Sequence, residues 1–471
     1  LAFKNANSFS SEFFLVSNSF ILELSPTLFS ENSFSSNFFK PENKLPQQLT
    51  IVKYIAKWFL IALPLGLVIG SGVALFLWML NSAILYRYTH EYLLYFLPLI
   101  GVAIHFLYRF LGKSSEKGNN LIIDEIHQPG GGVPPQMGPL VLSTTVLTHL
   151  FGGSAGREGT AVQIGGSVAQ LFAKWLKLDE KDVKTILLAG VAAGFGAVFG
   201  TPFTGAIFAI EVIAIGKIKY DAIIPCIFAS LVGDFTVNAW QVKHTLYQID
   251  FIQEPNFFLS QYFNWDIILI LKIMLASVVF GLASLLFASL VRAVKNTFLG
   301  LFKTTWLIPF FGGLAIILLT LLVGKPDYLS LGVVAQHSDS ITISSAFTQG
   351  GADALSWLWK TIFTALTLGT GFKGGEVTPL FYIGATLGNS LAVLMNAPIS
   401  LFAALGFIAV FAGATNTPLA CTIMGVELFG GQYILLFGIA CFIAYFFSGH
   451  QGIYSSQKIG IPKFMYLNKE K

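Results

Sequence analysis

Apolar residues in this chain come in long runs with few charges, at 58–80, 92–111, 185–216, 267–291, 305–324 and 431–447. An α-helix rises about 1.5 Å per residue, so about 20 apolar residues cross the hydrocarbon core of a bilayer, and these runs meet or approach that length. Shorter apolar runs lie between them, and ten or more membrane helices fit. Composition points the same way. Of 471 residues, 54% are hydrophobic and 11% charged, with a mean hydropathy of +0.71, whereas a typical soluble domain is about 25% charged. The pattern predicts an all-α polytopic membrane protein. Many of the 46 glycines fall inside the apolar runs, where they permit close helix packing or mark broken helices, and broken helices point to transport.

Charge narrows the partners. The net charge of +4 is small for this length, and the basic residues fall in connectors such as 174–184 and near the two ends. No basic patch of the nucleic-acid-binding kind is present, so a lipid bilayer and not a nucleic acid is the expected partner. Lys53 and Lys57 precede the first long run, and Lys458, Lys463, Lys469 and Lys471 follow the last. The positive-inside rule then places both termini in the cytoplasm, with an even number of crossings. Cys226, Cys421 and Cys441 are widely spaced in apolar sequence, a setting for packing and not for a disulfide or metal set, and no cofactor is expected. Residues 1–50 are rich in Phe, Ser and Asn, begin with Leu and lack a signal-peptide pattern; they read as a poorly ordered or non-native extension. Residues 457–471 read as a basic tail with no soluble regulatory domain expected beyond it.

Polar positions inside the apolar sequence repeat. Gly156-Arg157-Glu158-Gly159-Thr160 and Gly374-Gly375-Glu376-Val377-Thr378 both read G-x-E-x-T, each after a glycine-rich approach and each opening an apolar run. A shift of 218 pairs Glu158 with Glu376 and Thr160 with Thr378, and a shift of 216 pairs Gly190 with Gly406, Thr201-Pro202 with Thr417-Pro418, and Glu211 with Glu427. Two homologous halves follow, 51–240 and 260–456. Each pentad predicts a helix start, where free N–H groups and positive partial charge make an anion site. A carboxylate there competes with the anion. Glu158 reads either as a gate that carries a proton or as a first-turn carboxylate stabilising its own helix. Glu376 has the same two readings, with proton relay or anion coordination as its possible work. Glu211 and Glu427 read as structural, and the histidines show no ligand spacing.

These residues carry a resemblance. Gly156-Arg157-Glu158-Gly159-Thr160 resembles the G-[KR]-E-G-P motif of the CLC anion channels and transporters, Gly375-Glu376-Val377-Thr378-Pro379 stands in place of G-x-F-x-P, and Gly118-Asn119-Asn120-Leu121-Ile122 in place of G-S-G-I-P. Tyr454 sits where that family keeps a pore tyrosine. The resemblance covers about 50–456 and implies inverted halves, one pore per subunit and a homodimer. The departures resemble the family's fluoride-exporting branch, which carries methionine or asparagine at the place of Asn119. That branch exchanges fluoride for protons, and so implies a bacterial inner membrane.

The site implied has Glu158 as gate and proton carrier and Glu376 as a second carboxylate. Asn119, Gly156, Arg157, Gly159, Thr160, Gly375, Val377, Thr378 and Tyr454 are the expected anion-binding residues. The amide of Asn119 and the hydroxyls of Thr160 and Thr378 add donors for a small, strongly hydrated anion. Val212 holds the place where chloride/proton exchangers keep an inner glutamate, which leaves Glu376 a role to fill and also leaves an uncoupled channel open. A chloride-selective CLC channel or exchanger stays the main alternative. A membrane-embedded enzyme or a non-transporting protein is remote, because no nucleophile elbow, phosphate loop or metal set accompanies the carboxylates.

Overall fold

The computed structural model describes residues 47–251 and 266–464. The expected extension 1–50 lies outside the described residues except for its last four, which begin the first helix; residues 260–265 and 465–471 lie outside as well. The chain divides into two units, Leu1–Lys53 and Tyr54–Lys471. Of the first, only the helical stretch 47–53 is described.

Fifteen α-helices are found among the described residues. The first half holds α1 (Gln47–Thr89), α2 (Leu97–Leu107), α3 (Asn119–His127), α4 (Met137–Leu150), α5 (Glu158–Trp175), α6 (Glu180–Phe199), α7 (Pro202–Glu211) and α8 (Ile223–Ala239). The second holds α9 (Ile267–Leu301), α10 (Leu307–Val323), α11 (Ser356–Gly369), α12 (Val377–Met395), α13 (Ile399–Thr415), α14 (Pro418–Phe429) and α15 (Ile434–Phe447). Apart from α3, each helix of the first half has a counterpart in the second, in the same order. The packing recurs too: α6 lies against α5, α7 and α8, and α13 against α12, α14 and α15.

Among the described residues, six helical stretches are long and apolar enough to cross a membrane, and the protein is an integral, multi-pass membrane protein. The apolar run 185–216 is not one span. It breaks between α6 and α7, where Gly200 turns left-handed at φ 73° and Pro202 opens the next helix. Asn416 takes the same role at φ 59° ahead of Pro418. Glycine and asparagine tolerate that conformation, and proline at the first helical position lacks only an N–H that would be unpaired anyway. Each broken helix is then capped from the opposite half. The Glu211 carboxylate accepts the N–H groups of Leu419 (3.0 Å) and Ala420 (2.7 Å) at the start of α14. Glu427 accepts those of Phe203 (2.9 Å) and Thr204 (2.7 Å) at the start of α7. The two glutamates, read from the sequence as structural, are therefore a reciprocal pair of caps.

Glycine sets the closest helix contacts. A Cβ on Gly165 of α5 would fall 2.1 Å from the Gly190 carbonyl oxygen of α6, and one on Gly384 of α12 would fall 2.1 Å from that of Gly406 of α13. Backbones at such range leave no room for any side chain, so small residues are required.

Two faces can be told apart from the chain itself. A short parallel pair joins β1 (Ala214–Ile215) to β2 (Lys458–Ile459) at the start of α8. The Tyr54 hydroxyl near the start of α1 donates to the Asp221 carbonyl at 2.7 Å, on that same face. At the other end of α1 the Tyr88 hydroxyl donates to the Val334 carbonyl at 2.8 Å, and the far end of α8 leads into residues 240–251 on this second face.

Candidate functional site

Both G-x-E-x-T segments stand where a helix begins, and the fold brings them together. Ahead of α5 and α12, Gly156 and Gly375 form an antiparallel bridge, the Gly156 N–H donating at 2.6 Å and the Gly375 N–H at 2.8 Å. Glu158 is 1% exposed. Its Oε2 accepts the N–H of Thr378 at 3.0 Å and that of Arg157 at 3.0 Å, and the Thr378 hydroxyl donates to Oε1. Arg157 Nε stands 3.7 Å from Oε1. The carboxylate therefore caps α12, a helix of the other half, and is not confined to the first turn of its own. Each charge-assisted hydrogen bond of this kind is worth about 1.5–3 kcal/mol. All of them sit where an anion approaching the α12 start would find its donors.

The second carboxylate has a different setting. Glu376 is the residue before α12, caps no N–H there, and lines a cavity of ≈ 150 Å³ together with Asn119, Gln163, Lys373 and Tyr454. The Lys373 ammonium lies 4.1 Å from the centre of the Tyr108 ring, a cation–π contact at the cavity wall. Asn119 opens α3, and its Nδ2 lies 3.0 Å from the point a Cβ on Gly159 would occupy; glycine at 159 keeps the amide beside the α5 start. Tyr454 is buried and its ring meets Phe208 edge-on at 6.5 Å. Val377, also buried, is the first residue of α12. Because Ile453 and Tyr454, just ahead of β2, line this cavity, it belongs to the β1–β2 face.

Thr160, expected as an anion donor, has its hydroxyl against a neighbouring helix. It is fully buried, and its hydroxyl pairs at 2.8 Å with that of Thr145 on α4, so it ties α4 to α5. Val212 behaves as an apolar residue should. It lines a small gap with Phe208 and Ile122; its N–H donates to the Phe208 carbonyl at 2.9 Å and its carbonyl accepts from Gln457 Nε2 at 2.9 Å.

On the other side of Glu158 lies a much smaller cavity of ≈ 20 Å³, lined by Arg157, Glu158, His244, Thr378, Phe381 and Phe407 among others. It also touches Val333, next to the Val334 carbonyl that marks the second face. Burial, and after it the charge of Arg157, pushes the His244 imidazole down to about 4, so the ring is neutral near pH 7. His244 carries no motif and was not legible as a site residue.

Histidine 149 was likewise given no chemistry by its spacing, yet it braces the bridge. Its Nε2 lies 3.4 Å from the Gly156 carbonyl and its Nδ1 3.0 Å from the Ser330 hydroxyl. A carbonyl only accepts, so the proton is on Nε2 and Ser330 donates to Nδ1. Ser330 is held in turn by Lys360, whose Nζ donates to its carbonyl at 2.7 Å and to that of Tyr328 at 3.1 Å. Lys360 was not singled out from the sequence; a lysine within the apolar helix α11 is the feature that could have pointed to this brace.

Known proteins fit the same frame. The family model described as voltage gated chloride channel matches residues 100–449. The chain is 45% identical over 419 residues to the chloride/fluoride channel protein of Pseudomonas syringae pv. tomato, covering 89% of this chain and 90% of that protein. It is 24% identical to the H(+)/Cl(-) exchange transporter ClcA of Vibrio cholerae, covering 72% of each. Among solved structures, that of a CLC-type fluoride/proton antiporter superposes with a TM-score of 0.79 at 34% identity, over 88% of this chain and 100% of that one. A slow cyanobacterial Cl-/H+ antiporter superposes with a TM-score of 0.70 at 17% identity, over 84% and 96%, and shares the fold.

Proposed function

The chain belongs to the voltage gated chloride channel family, and on that footing we propose that it exports fluoride in exchange for protons, with Glu158 as both gate and proton carrier. One observation carries the mechanism. The Glu158 carboxylate takes the Thr378 N–H and hydroxyl at the start of α12, the donors that an anion in the pathway needs. While ionised it keeps the anion out. A proton removes its charge and with it most of the charge-assisted part of those bonds, so the side chain leaves and the anion enters. Proton and anion then move in a fixed relation, in opposite directions.

Glu376 receives the proton or steadies the anion on the β1–β2 face, the work an inner carboxylate at Val212 would otherwise do. Asn119, Gly159, Val377 and Tyr454 line the path between the two cavities. Fluoride gives up a strong hydration shell, so its site must supply several good donors, and Asn119 and Thr378 are donors that an apolar lining lacks. The likeness to a chloride/fluoride channel protein and to a fluoride/proton antiporter supports fluoride as the cargo. The halves 51–240 and 260–456 act as inverted repeats, two subunits pair in the bacterial inner membrane, and the β1–β2 face with both termini lies in the cytoplasm.

The test is efflux of fluoride and of chloride from proteoliposomes with internal pH followed together. Wild type is expected to release fluoride against opposed proton movement, and Glu158→Ala to lose the coupling. Equal or faster chloride release without proton movement would establish a chloride channel in its place.

A further inference from the structure

The geometry points to a separate fluoride-sized anion site on the Arg157 side of Glu158, with His244 as its donor; we propose it as the last station before the second face. It rests on the fluoride reading above, and it is distinct from the place at the α12 start that the Glu158 carboxylate fills. The cavity there is ≈ 20 Å³, and a space of roughly 10–15 Å³ on this measure admits one water-sized particle. Fluoride is of that size. A larger halide would have to push back the rings of Phe381 and Phe407, which form part of the wall.

One donor at this cavity is uncommitted. His244 Nε2, a donor in the tautomer that carries the ring proton there, is buried and makes no hydrogen bond to any described residue, while Arg157 Nε, also without a hydrogen bond, faces the Glu158 carboxylate at 3.7 Å. Buried polar atoms of this kind carry a desolvation cost that a ligand accepting from them removes. The imidazole is not loosely placed. It lies on Gly200, where a Cβ would fall 2.7 Å from the ring's Cδ2, and Gly200 is the left-handed turn residue that ends α6. The break between α6 and α7 thus supplies the floor on which the ring rests. Arg157 gives the cavity its positive charge, and among the described residues of its wall the sole carboxylate is Glu158. An ionised Glu158 repels a second anion here, so the site fills when that carboxylate has taken its proton. Anion arrival beside the gate and proton loading of the gate are therefore the same event.

The experiment compares wild type, His244→Ala and His244→Gln as full-length chains. Sodium fluoride, and in parallel sodium chloride, is titrated calorimetrically into the detergent-purified protein, and the KM for fluoride and the fluoride-to-proton ratio are measured in proteoliposomes. A glutamine amide places an N–H close to the position of the histidine Nε2. Loss of one charge-assisted hydrogen bond predicts fluoride binding roughly ten- to a hundredfold weaker in His244→Ala, with a matching rise in KM and the proton ratio kept. His244→Gln is expected to recover most of both. Unchanged fluoride affinity and KM in His244→Ala would overturn the site. So would a glutamine variant as weak as the alanine one, because the ring would then matter for its packing on Gly200 alone. A wild type that binds fluoride but moves no protons would count against the antiport reading, while the calorimetric comparison would still decide the role of His244.

Discussion

At the Glu158 carboxylate, the hydroxyl and the N–H of Thr378 do separable work. The N–H belongs to the α12 start and remains whatever side chain is present, whereas the hydroxyl is the one donor that mutation can remove cleanly. Thr378→Val keeps the shape and deletes that donor. The ionised carboxylate is then held less firmly, by about 1.5–3 kcal/mol, and leaves its place more readily. Fluoride flux at alkaline pH, where the proposed mechanism slows wild type for want of protons, is expected to be roughly ten- to a hundredfold higher in the variant; liposome flux measured across a pH series checks it. A flux profile unchanged by the substitution would remove the Thr378 hydroxyl from the gate. Glu158, Glu376 and Thr378 were readable as candidates because each stands in a repeated motif at a helix start, whereas Asn119 and Tyr454 were named only through the family resemblance. The bond between the Thr160 hydroxyl and Thr145 of α4 was not legible, being a tertiary contact that spacing along one helix does not reveal. His244 was missed for the same reason, its ring being placed by Gly200 across a helix break.

Among the elements, the broken pairs α6–α7 and α13–α14 hold the two halves to one another through Glu211 and Glu427. Each carboxylate accepts two backbone N–H groups of a helix start in the opposite half, so removing either leaves donors unpaired in a setting with little water. The cost depends on burial. Glu211 is 7% exposed and its partner Ala420 is fully buried, while Phe203, a partner of Glu427, is 51% exposed. Glu211→Ala is expected to lower stability by about 2–3 kcal/mol and Glu427→Ala by about 1 kcal/mol. Thermal unfolding in detergent measures both, and equal losses would mean that the caps are not the source. The T-P break and the matched acidic residues made this architecture readable, since proline and a left-handed Gly or Asn are local signals. The bounds of the run 185–216 were not readable in the same way, because hydropathy averages over a break two residues long.

For the whole molecule, the placement of two carboxylates on opposite sides of the Gly156–Gly375 bridge is what makes exchange possible, and it makes a prediction about access. The Glu376 cavity adjoins Tyr454 and β2, whereas the His244 cavity adjoins Val333 and residues 240–251 at the far end of α8. The repeat in the sequence predicted paired halves, but which cavity opens on which face follows from β1 pairing with β2 and from Tyr54 and Tyr88 at the two ends of α1, contacts between residues far apart in the chain. The three native cysteines, Cys226, Cys421 and Cys441, are each 0% exposed, so wild type should be silent to a membrane-impermeant thiol reagent. Lys373→Cys and Lys243→Cys then report the two faces separately. In oriented vesicles each is expected to be modified from one side only, and from opposite sides, with Lys373→Cys reached from the cytoplasmic side. Modification of both from the same side would refute the two-faced pathway, and labelling of Lys373→Cys from outside alone would invert the orientation while leaving the two faces intact. Added fluoride should slow modification at Lys373→Cys if the anion occupies the cavity that this side chain lines, since the thiol and the ion would then compete for the same space of ≈ 150 Å³.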